Sequence, residues 1–236
     1  MELAKRLFDA RTSFHQNLMT IDEVIHQAEK NDTGKPIVLA DSPDSPNAGA
    51  CGDSPALIER IKALGSDVKA AFYINDSKVV DYLWDKAVGC EYDITLGATK
   101  CDRFYKPVEL RVHLNSKHVG NFVSGRDGHV QNVGRVVNFT FRNADILAMD
   151  EITLPGAPQL YRHFGIEPEF YQLVNIKACT SFRANYESIA VEICETATPG
   201  VAPIDIENVN YERVPKSFWP WSDISGYAIP EPVALR

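Results

Sequence analysis

Several features that would assign a function directly are missing from this 236-residue sequence. No apolar run approaches the ~20 residues that a membrane-spanning helix requires. The start, MELAKRLFDAR, alternates in charge and lacks the basic and apolar regions of a secretory signal. The net charge of −8 argues against a nucleic-acid surface, which needs clustered Lys and Arg. We therefore expect a cytoplasmic protein that binds neither membranes nor nucleic acid.

Sequence signatures of metal centres and nucleophiles are also missing. The five cysteines include no C-x-x-C pair, and the six histidines include no H-E-x-x-H motif. The chain contains no G-x-S-x-G elbow, no G-x-G-x-x-G fingerprint and no P-loop. An odd number of unpaired cysteines is typical of reduced thiols in a cytosolic protein. We predict no metal ligands and no cofactor in this chain, and we assign no catalytic residue.

The first third of the chain alternates helical and strand patterns. A T-x-x-E capping box at Thr20 and Glu23 predicts the start of a helix. PIVLA (36–40) and VKAAFYI (68–74) read as strands, and continuous apolar strands suit a sheet covered on both faces. Ser54 predicts the start of the helix between them. The order strand, helix, strand indicates a parallel βαβ unit.

The middle of the chain has the short, partly alternating segments of an antiparallel sheet. Four strands are predicted there, at 92–97, 107–114, 118–125 and 134–141. Later strands are predicted at 170–176 and 191–197. We therefore predict an α/β fold whose mixed sheet combines parallel βαβ units with an antiparallel insertion, with helices packed on the sheet. Residues 1–35 are expected to form a helical lead-in, and residues 36–236 a single α/β domain.

Two polar loops follow predicted strands and run directly into helices. The first is DSPDSPNAGACGDS (41–54), and the second is KACTSFR (177–183). In open α/β sheets, ligands bind outside the carboxyl ends of the parallel strands, so we predict that both loops form one substrate-binding rim. The residues predicted for this rim are Asp41, Asp44, Asn47, Gly49, Gly52, Asp53, Ser54, Lys177, Thr180, Ser181 and Arg183.

The residues of the first loop are compatible with three structures. Its glycines and the following helix could cradle an anion. Asp41, Asp44 and Asp53 could hold a divalent cation, which prefers carboxylate ligands. The third alternative is a rigid connection whose carboxylates cap helices and satisfy loop amides. Lys177 and Arg183 are similarly compatible with binding a substrate carboxylate or oxyanion, or with ion pairs to Asp41 or Asp53.

Taken together, these segments resemble the C-terminal domain of the microcystinase C (MlrC) family. The stretch VLADSPDSPNAGACGDSPALI is similar to the family pattern D-x-x-D-N-P-G-G-G-x-x-G-D-S/T. LGATK (96–100), FGIEPEFY (164–171) and IKACTSFRANYESIA (176–190) follow in the family's order and spacing. The Pro-rich end, TPGVAPIDIENVNYERVPKSFWPWSD, is also similar. The resemblance extends from about residue 2 to 224.

The resemblance implies a zinc-dependent peptide or amide hydrolase of two domains, in which the zinc belongs to the N-terminal domain and the C-terminal domain lines the substrate cleft. By itself this chain is then expected to be inactive. The resemblance implies an MlrC-like N-terminal domain or separate subunit as its partner and a small peptide or amide as the substrate. It also allows homo-oligomers. Two departures are visible. Residues 44–49 read DSPNAG, and Ser181 stands where the family often has histidine. The alternative is a non-catalytic binding or regulatory module that keeps the fold.

Overall fold

A computed structural model of the protein describes residues 2–14, 17–124, 128–152 and 156–226. The chain divides into two compact units. The larger is Leu18–Ile204, and the smaller combines Met1–Asn17 with Asp205–Arg236. Among the described residues, no helix is both long enough and apolar enough to cross a membrane.

In the residues that the structure describes, the larger unit is built on eight strands. They are β1 (Ile37–Ala40), β2 (Ala70–Asn75), β3 (Glu91–Leu96), β4 (Val108–Val123), β5 (Val130–Phe141), β6 (Ala144–Met149), β7 (Leu173–Ile176) and β8 (Glu192–Glu195). Among the same residues, five α-helices belong to this unit: α2 (Ile21–Glu29), α3 (Ala56–Leu64), α4 (Ser77–Trp84), α5 (Gln159–His163) and α6 (Arg183–Tyr186). The smaller unit contains α1 (Glu2–Asp9).

The eight strands form one mixed sheet in the order β3-β4-β5-β6-β2-β7-β1-β8. From β6 to β8 all neighbours are parallel, whereas β3, β4, β5 and β6 pair antiparallel. This confirms the predicted α/β fold with an antiparallel insertion. The parallel part contains β1, β2 and β7, in which every residue is buried.

Helices cover both faces of the sheet, as the wholly apolar strands require. On one face, α2, α3 and α4 pack with alternate strand residues such as Leu39 and Phe72. On the other face, Tyr161 of α5 and Tyr186 of α6 pack with Val38 and its neighbours. The predicted capping box at the start of α2 is present, because Thr20 and Glu23 exchange side-chain and backbone hydrogen bonds. The helices therefore pack on the sheet as predicted.

One predicted division of the chain is wrong. The segments 107–114 and 118–125, predicted as two strands, are joined in the 16-residue strand β4. Register shifts between Leu114 and Ser116 and between Val119 and Asn121 interrupt its pairing with β5. Such bulges add a residue and reverse the side-chain alternation without ending the ladder. In the sequence, the polar residues at the first of these bulges are typical of a turn, and this pattern predicts two strands instead of one.

Candidate functional site

The two polar loops leave neighbouring strands at the same edge of the sheet. β1 and β7 are parallel partners, with Ala40 opposite Ile176. The loops that follow them are joined directly, since the Ser42 hydroxyl donates to the Ala178 carbonyl at 3.3 Å. The rim predicted from the carboxyl-end rule is therefore a single structure.

Lys177 lies at the centre of this rim and is completely buried. Its ammonium group donates to Asp41 Oδ2 at 3.0 Å, to Asp44 Oδ2 at 2.9 Å and to the Ser54 carbonyl at 3.0 Å. An ammonium has three donors, so all of its hydrogen-bonding capacity is used. We call Asp41, Asp44 and Lys177 the charge cluster.

Burial and neighbouring charges act in opposite directions on Lys177 and on Asp44. Burial disfavours the charged form of Lys177, but the carboxylates of Asp41 and Asp44 outweigh it and raise the pKa of this lysine. Burial also raises the pKa of Asp44, and the Lys177 ammonium opposes that shift. A buried cation that faces two carboxylates is held in place, because separating it would leave unpaired charges in the interior.

Asp44 also organises its own loop. It accepts the Gly52 N–H at 3.2 Å and the Ser54 N–H at 2.8 Å. Gly52 has a positive φ of 69°, and a Cβ added there would lie 3.3 Å from Pro46 Cγ. The loop thus closes around the carboxylate, and glycine is suited to position 52 because of both its φ and the close proline ring.

Asp53 ties the rim to the chain that follows β3. One of its oxygens accepts the N–H of Lys100 at 2.7 Å and of Cys101 at 3.3 Å. Its other oxygen accepts the Tyr105 hydroxyl at 2.5 Å, and this hydroxyl also lies 3.3 Å from Asp44. Burial together with the hydrogen bond to Asp53 raises the pKa of Tyr105, so the phenol remains a donor. The LGATK segment (96–100), which resembles the family, therefore contacts the rim and helps to hold it in place.

A third loop, not predicted for the site, completes the enclosure. The Thr198 hydroxyl donates to Asp41. A Cβ added at Gly200 would clash with the Pro43 carbonyl oxygen, so the two loops touch through backbone. β8 is parallel to β1, and the carboxyl-end rule applied to the predicted strand 191–197 would have found this loop. Tyr105 carried no comparable signal in the sequence.

The outer layer of the rim is accessible to ligands. Asn47, Gly49, Thr180 and Ser181 are exposed. Arg183 is partly buried and donates to Glu195 at 2.6 Å, rather than to Asp41 or Asp53. The predicted rim residues thus separate into a buried group, Asp41, Asp44, Gly52, Asp53, Ser54 and Lys177, and an outer group, Asn47, Gly49, Thr180, Ser181 and Arg183.

The ends of the two helices beside the rim differ slightly from expectation. α3 begins at Ala56 and has no side-chain cap, although the Ser54 hydroxyl accepts the Ala56 N–H at 3.4 Å. α6 begins at Arg183, after a turn in which the Arg183 N–H donates to the Thr180 carbonyl. Ser54 instead serves the charge cluster through its backbone, because its N–H binds Asp44 and its carbonyl binds Lys177.

These contacts favour the rigid connection among the three alternatives for the first loop. The N–H groups of Ala48, Gly49 and Ala50 donate to carbonyls within the loop, so they are not free to bind an anion. The carboxylates of Asp41 and Asp44 already neutralise Lys177, and Asp53 accepts N–H and O–H donors. A cation would have to displace these partners. Among the described residues, no group of three or more His, Cys, Asp or Glu side chains could hold a metal ion. The residues of this rim do not fit a zinc site.

Comparison with known proteins adds an independent assignment. A family model of the MlrC C-terminus matches residues 39–213. Microcystinase C of Sphingomonas sp. is 22% identical over 194 residues, which cover 81% of this chain and 37% of that protein.

A solved structure shares the fold of this chain. The crystal structure of a candidate metallopeptidase from Mesorhizobium sp. BNC1 superimposes with a TM-score of 0.80 at 18% identity, covering 94% of this chain and 45% of that one. At this identity the likeness establishes the shared fold. In both comparisons, the chain spans less than half the length of the relative.

Proposed function

This chain belongs to the MlrC C-terminal family, and from that membership we propose that it is the substrate-lining part of a metal-dependent peptide or amide hydrolase. The metal centre of this enzyme lies in a separate N-terminal domain or subunit. Two observations support the division. The chain spans 37% of microcystinase C and 45% of the Mesorhizobium structure. Its own rim carboxylates are occupied by Lys177 and by N–H and O–H donors.

The observation that carries the proposal is the two-layer arrangement of the rim. Its inner layer is a closed set of charges, which holds the loops after β1 and β7 together. Its outer layer presents the Asn47 carboxamide and the hydroxyls of Thr180 and Ser181 to solvent. We assign the outer group to substrate contact and the inner group to positioning it, because preorganised donors lose little energy in reorganising when a ligand binds.

The chemistry assigned to these residues is binding. Hydroxyl and carboxamide groups can donate to the carbonyls of a peptide and accept from its N–H groups. Arg183 stays paired with Glu195, so it contributes a neutralised pair beside the rim rather than a free cation. The metal in the partner domain would polarise the scissile carbonyl and activate water, as metal ions do in hydrolases.

A second candidate function is a non-catalytic binding module that keeps the fold. Ser181 stands where the family often has histidine, and this supports a site that binds without supplying a titratable group. Both candidates use the same outer residues. They differ in whether a partner domain restores hydrolysis.

The decisive experiment combines this chain with an MlrC-type N-terminal domain, either in trans or as a fusion. We expect zinc-dependent peptide or amide hydrolysis from the combination and none from either part alone. In the active combination, Ser181→Ala should lower kcat/KM by roughly threefold to tenfold, the value of one hydrogen bond. Ser188→Ala, at another exposed serine, is the matched control and should leave kcat/KM unchanged.

Three other outcomes would change these assignments. Binding of peptide without hydrolysis in any combination favours the non-catalytic module. Stoichiometric zinc and hydrolysis by the isolated chain would overturn both. Equal activity of Ser181→Ala and the parent would remove Ser181 from the substrate contacts.

A further inference from the structure

We propose that the outer edge of β3 is a docking strand for an extended peptide, which adds to the sheet as a further strand and leads toward the rim. The peptide is the substrate class of the proposed function, so this inference rests on that function. It assigns a site outside the predicted rim residues.

β3 is an edge strand with unpaired backbone groups. In the described part of the chain, β4 is its only neighbour. Glu91 pairs with His113, and the Leu114 N–H donates to the Cys90 carbonyl. Because antiparallel pairs alternate between bonded and non-bonded, the peptide groups of residues 92, 94 and 96 face β4. Those of Asp93 and Thr95 face outward, where an added strand would bind them.

A cavity of about 450 Å³ lies beside the same residues. It is bounded by Ile94 and Thr95 of β3, by Val79 and Tyr82 of α4 and by Pro107. An added strand projects alternate side chains to opposite faces of the sheet. The cavity, which Lys78, Asp93 and Thr99 also line, can therefore receive one side chain of the peptide while its backbone pairs with Asp93 and Thr95. Backbone pairing supplies affinity in strand addition, and such a pocket supplies specificity.

The carboxyl end of β3 is anchored to the rim. Gly97 N–H donates to Asp76 at 2.7 Å, and Ala98 N–H donates to the Asp53 carbonyl at 2.9 Å. A Cβ added at Gly97 would lie 2.7 Å from Pro55, so the turn after β3 packs tightly on the rim loop. A peptide that follows β3 is thereby directed toward the same loop that carries Asn47 and Gly49.

The occupant is a peptide because backbone groups recognise backbone groups. The exposed acids of the strand, Glu91 and Asp93, share the one guanidinium of Arg111, at 2.9 Å and 3.3 Å. These three side chains keep one net negative charge, which favours a peptide with basic residues over an anionic ligand. An extended chain of β-branched residues, whose N–H and carbonyl groups match the edge, is the complementary partner.

The test measures binding without hydrolysis. The full 236-residue chain is titrated with the end-blocked hexapeptide acetyl-Lys-Val-Thr-Val-Thr-Lys-amide, and amide hydrogen exchange is followed by NMR. We expect slower exchange at the N–H groups of Asp93 and Thr95. Thr95→Pro removes an outward N–H without breaking a bond to β4 and should weaken binding by roughly tenfold or more. Thr95→Ala loses the same side chain but keeps the N–H, so the difference in affinity between the two variants measures the contribution of the N–H alone.

A second probe works on the unaltered protein, so the test does not depend on folding of the proline variant. N-methylation removes the N–H groups of alternate residues of the peptide. It should abolish binding when these N–H groups face β3, and should leave binding unchanged when they face away from it. Absence of binding at millimolar peptide, or binding without protection of Asp93 and Thr95, overturns the proposal. If the protein is a dimer and Thr95→Pro makes it a monomer, the β3 edge binds a second copy of the chain. That result would also overturn the proposal.

The result is separable from that of the proposed function. Protection of Asp93 and Thr95 in a combination that never hydrolyses peptides would overturn the hydrolase proposal alone. Hydrolysis by a combination in which these amides stay unprotected would overturn the docking strand alone.

Discussion

The rim and the β3 edge deal with polar groups in opposite ways. At the rim, a lysine and two aspartates are removed from water and satisfy one another, so the side chains there hold loops in place. Along β3, charged side chains stay in solvent, and no second strand of the described residues pairs with its outer side. Polarity in the sequence drew attention to the first region. The most polar loop of the chain therefore serves largely to hold the structure together, whereas the ligand edge that we propose is a less conspicuous strand.

Removing the buried cation is the strongest test of the contrast between the two regions. Lys177→Met leaves the carboxylates of Asp41 and Asp44 buried without a positive charge to balance them, and we expect the free energy of unfolding to fall by about 3–5 kcal/mol. Urea denaturation followed by circular dichroism measures the change. Lys78→Met, at an exposed lysine, is the matched control. A loss no larger than that of the control would show that the charge cluster does not hold the rim together.

The alkaline limit of stability sharpens the same point. The pKa of Lys177 is raised above its usual 10.5, so its stabilising contribution is complete below pH 10.5 and declines as pH rises through the folded-state pKa. In that window, the unfolded chain has released a proton that the folded protein keeps. The difference in unfolding free energy between the parent and Lys177→Met should shrink by roughly 1.4 kcal/mol per pH unit. A difference that stays constant up to pH 12 would contradict the assigned shift.

The smallest expected effect lies at the other region. Arg111 binds Glu91 and Asp93 at the surface, where water and salt screen charges. Arg111→Gln should therefore leave the free energy of unfolding unchanged within error. Urea denaturation at low salt and again at about 0.5 M salt, which screens surface charges, measures this. If this variant were as destabilised as Lys177→Met, the contrast between buried and exposed charge would fail.

Local patterns were sufficient for much of the fold. The capping box at Thr20 and the apolar strand at 36–40 needed no partner to be recognised, because their signals lie within a few neighbouring residues. The bulges of β4 could not be foreseen, since they exist only relative to β5. The rim followed from a topological rule, but the roles of its residues did not, because burial depends on what packs above them.

Arg183 illustrates the gap. In sequence it is one of two basic residues near three aspartates, and pairing with Asp41 or Asp53 was the natural expectation. The structure pairs it with Glu195 and gives Asp41 to Lys177 and Thr198. Partner choice among like charges is decided by distances of a few ångströms, and sequence spacing does not encode them.

The fold class, the end of the sheet at which the polar loops meet, and the family could all be inferred from the sequence alone. Periodicity, helix caps and motif order can be recognised there because each depends on residues close together in the chain. Three features required the tertiary structure: the burial of Lys177, the contacts of Tyr105 and Thr198 with the neighbouring aspartates, and the outer edge of β3, which no other described strand covers. Each of these depends on segments far apart in sequence, and solvent exclusion, which sets the strength of their interactions, arises only when the segments pack together.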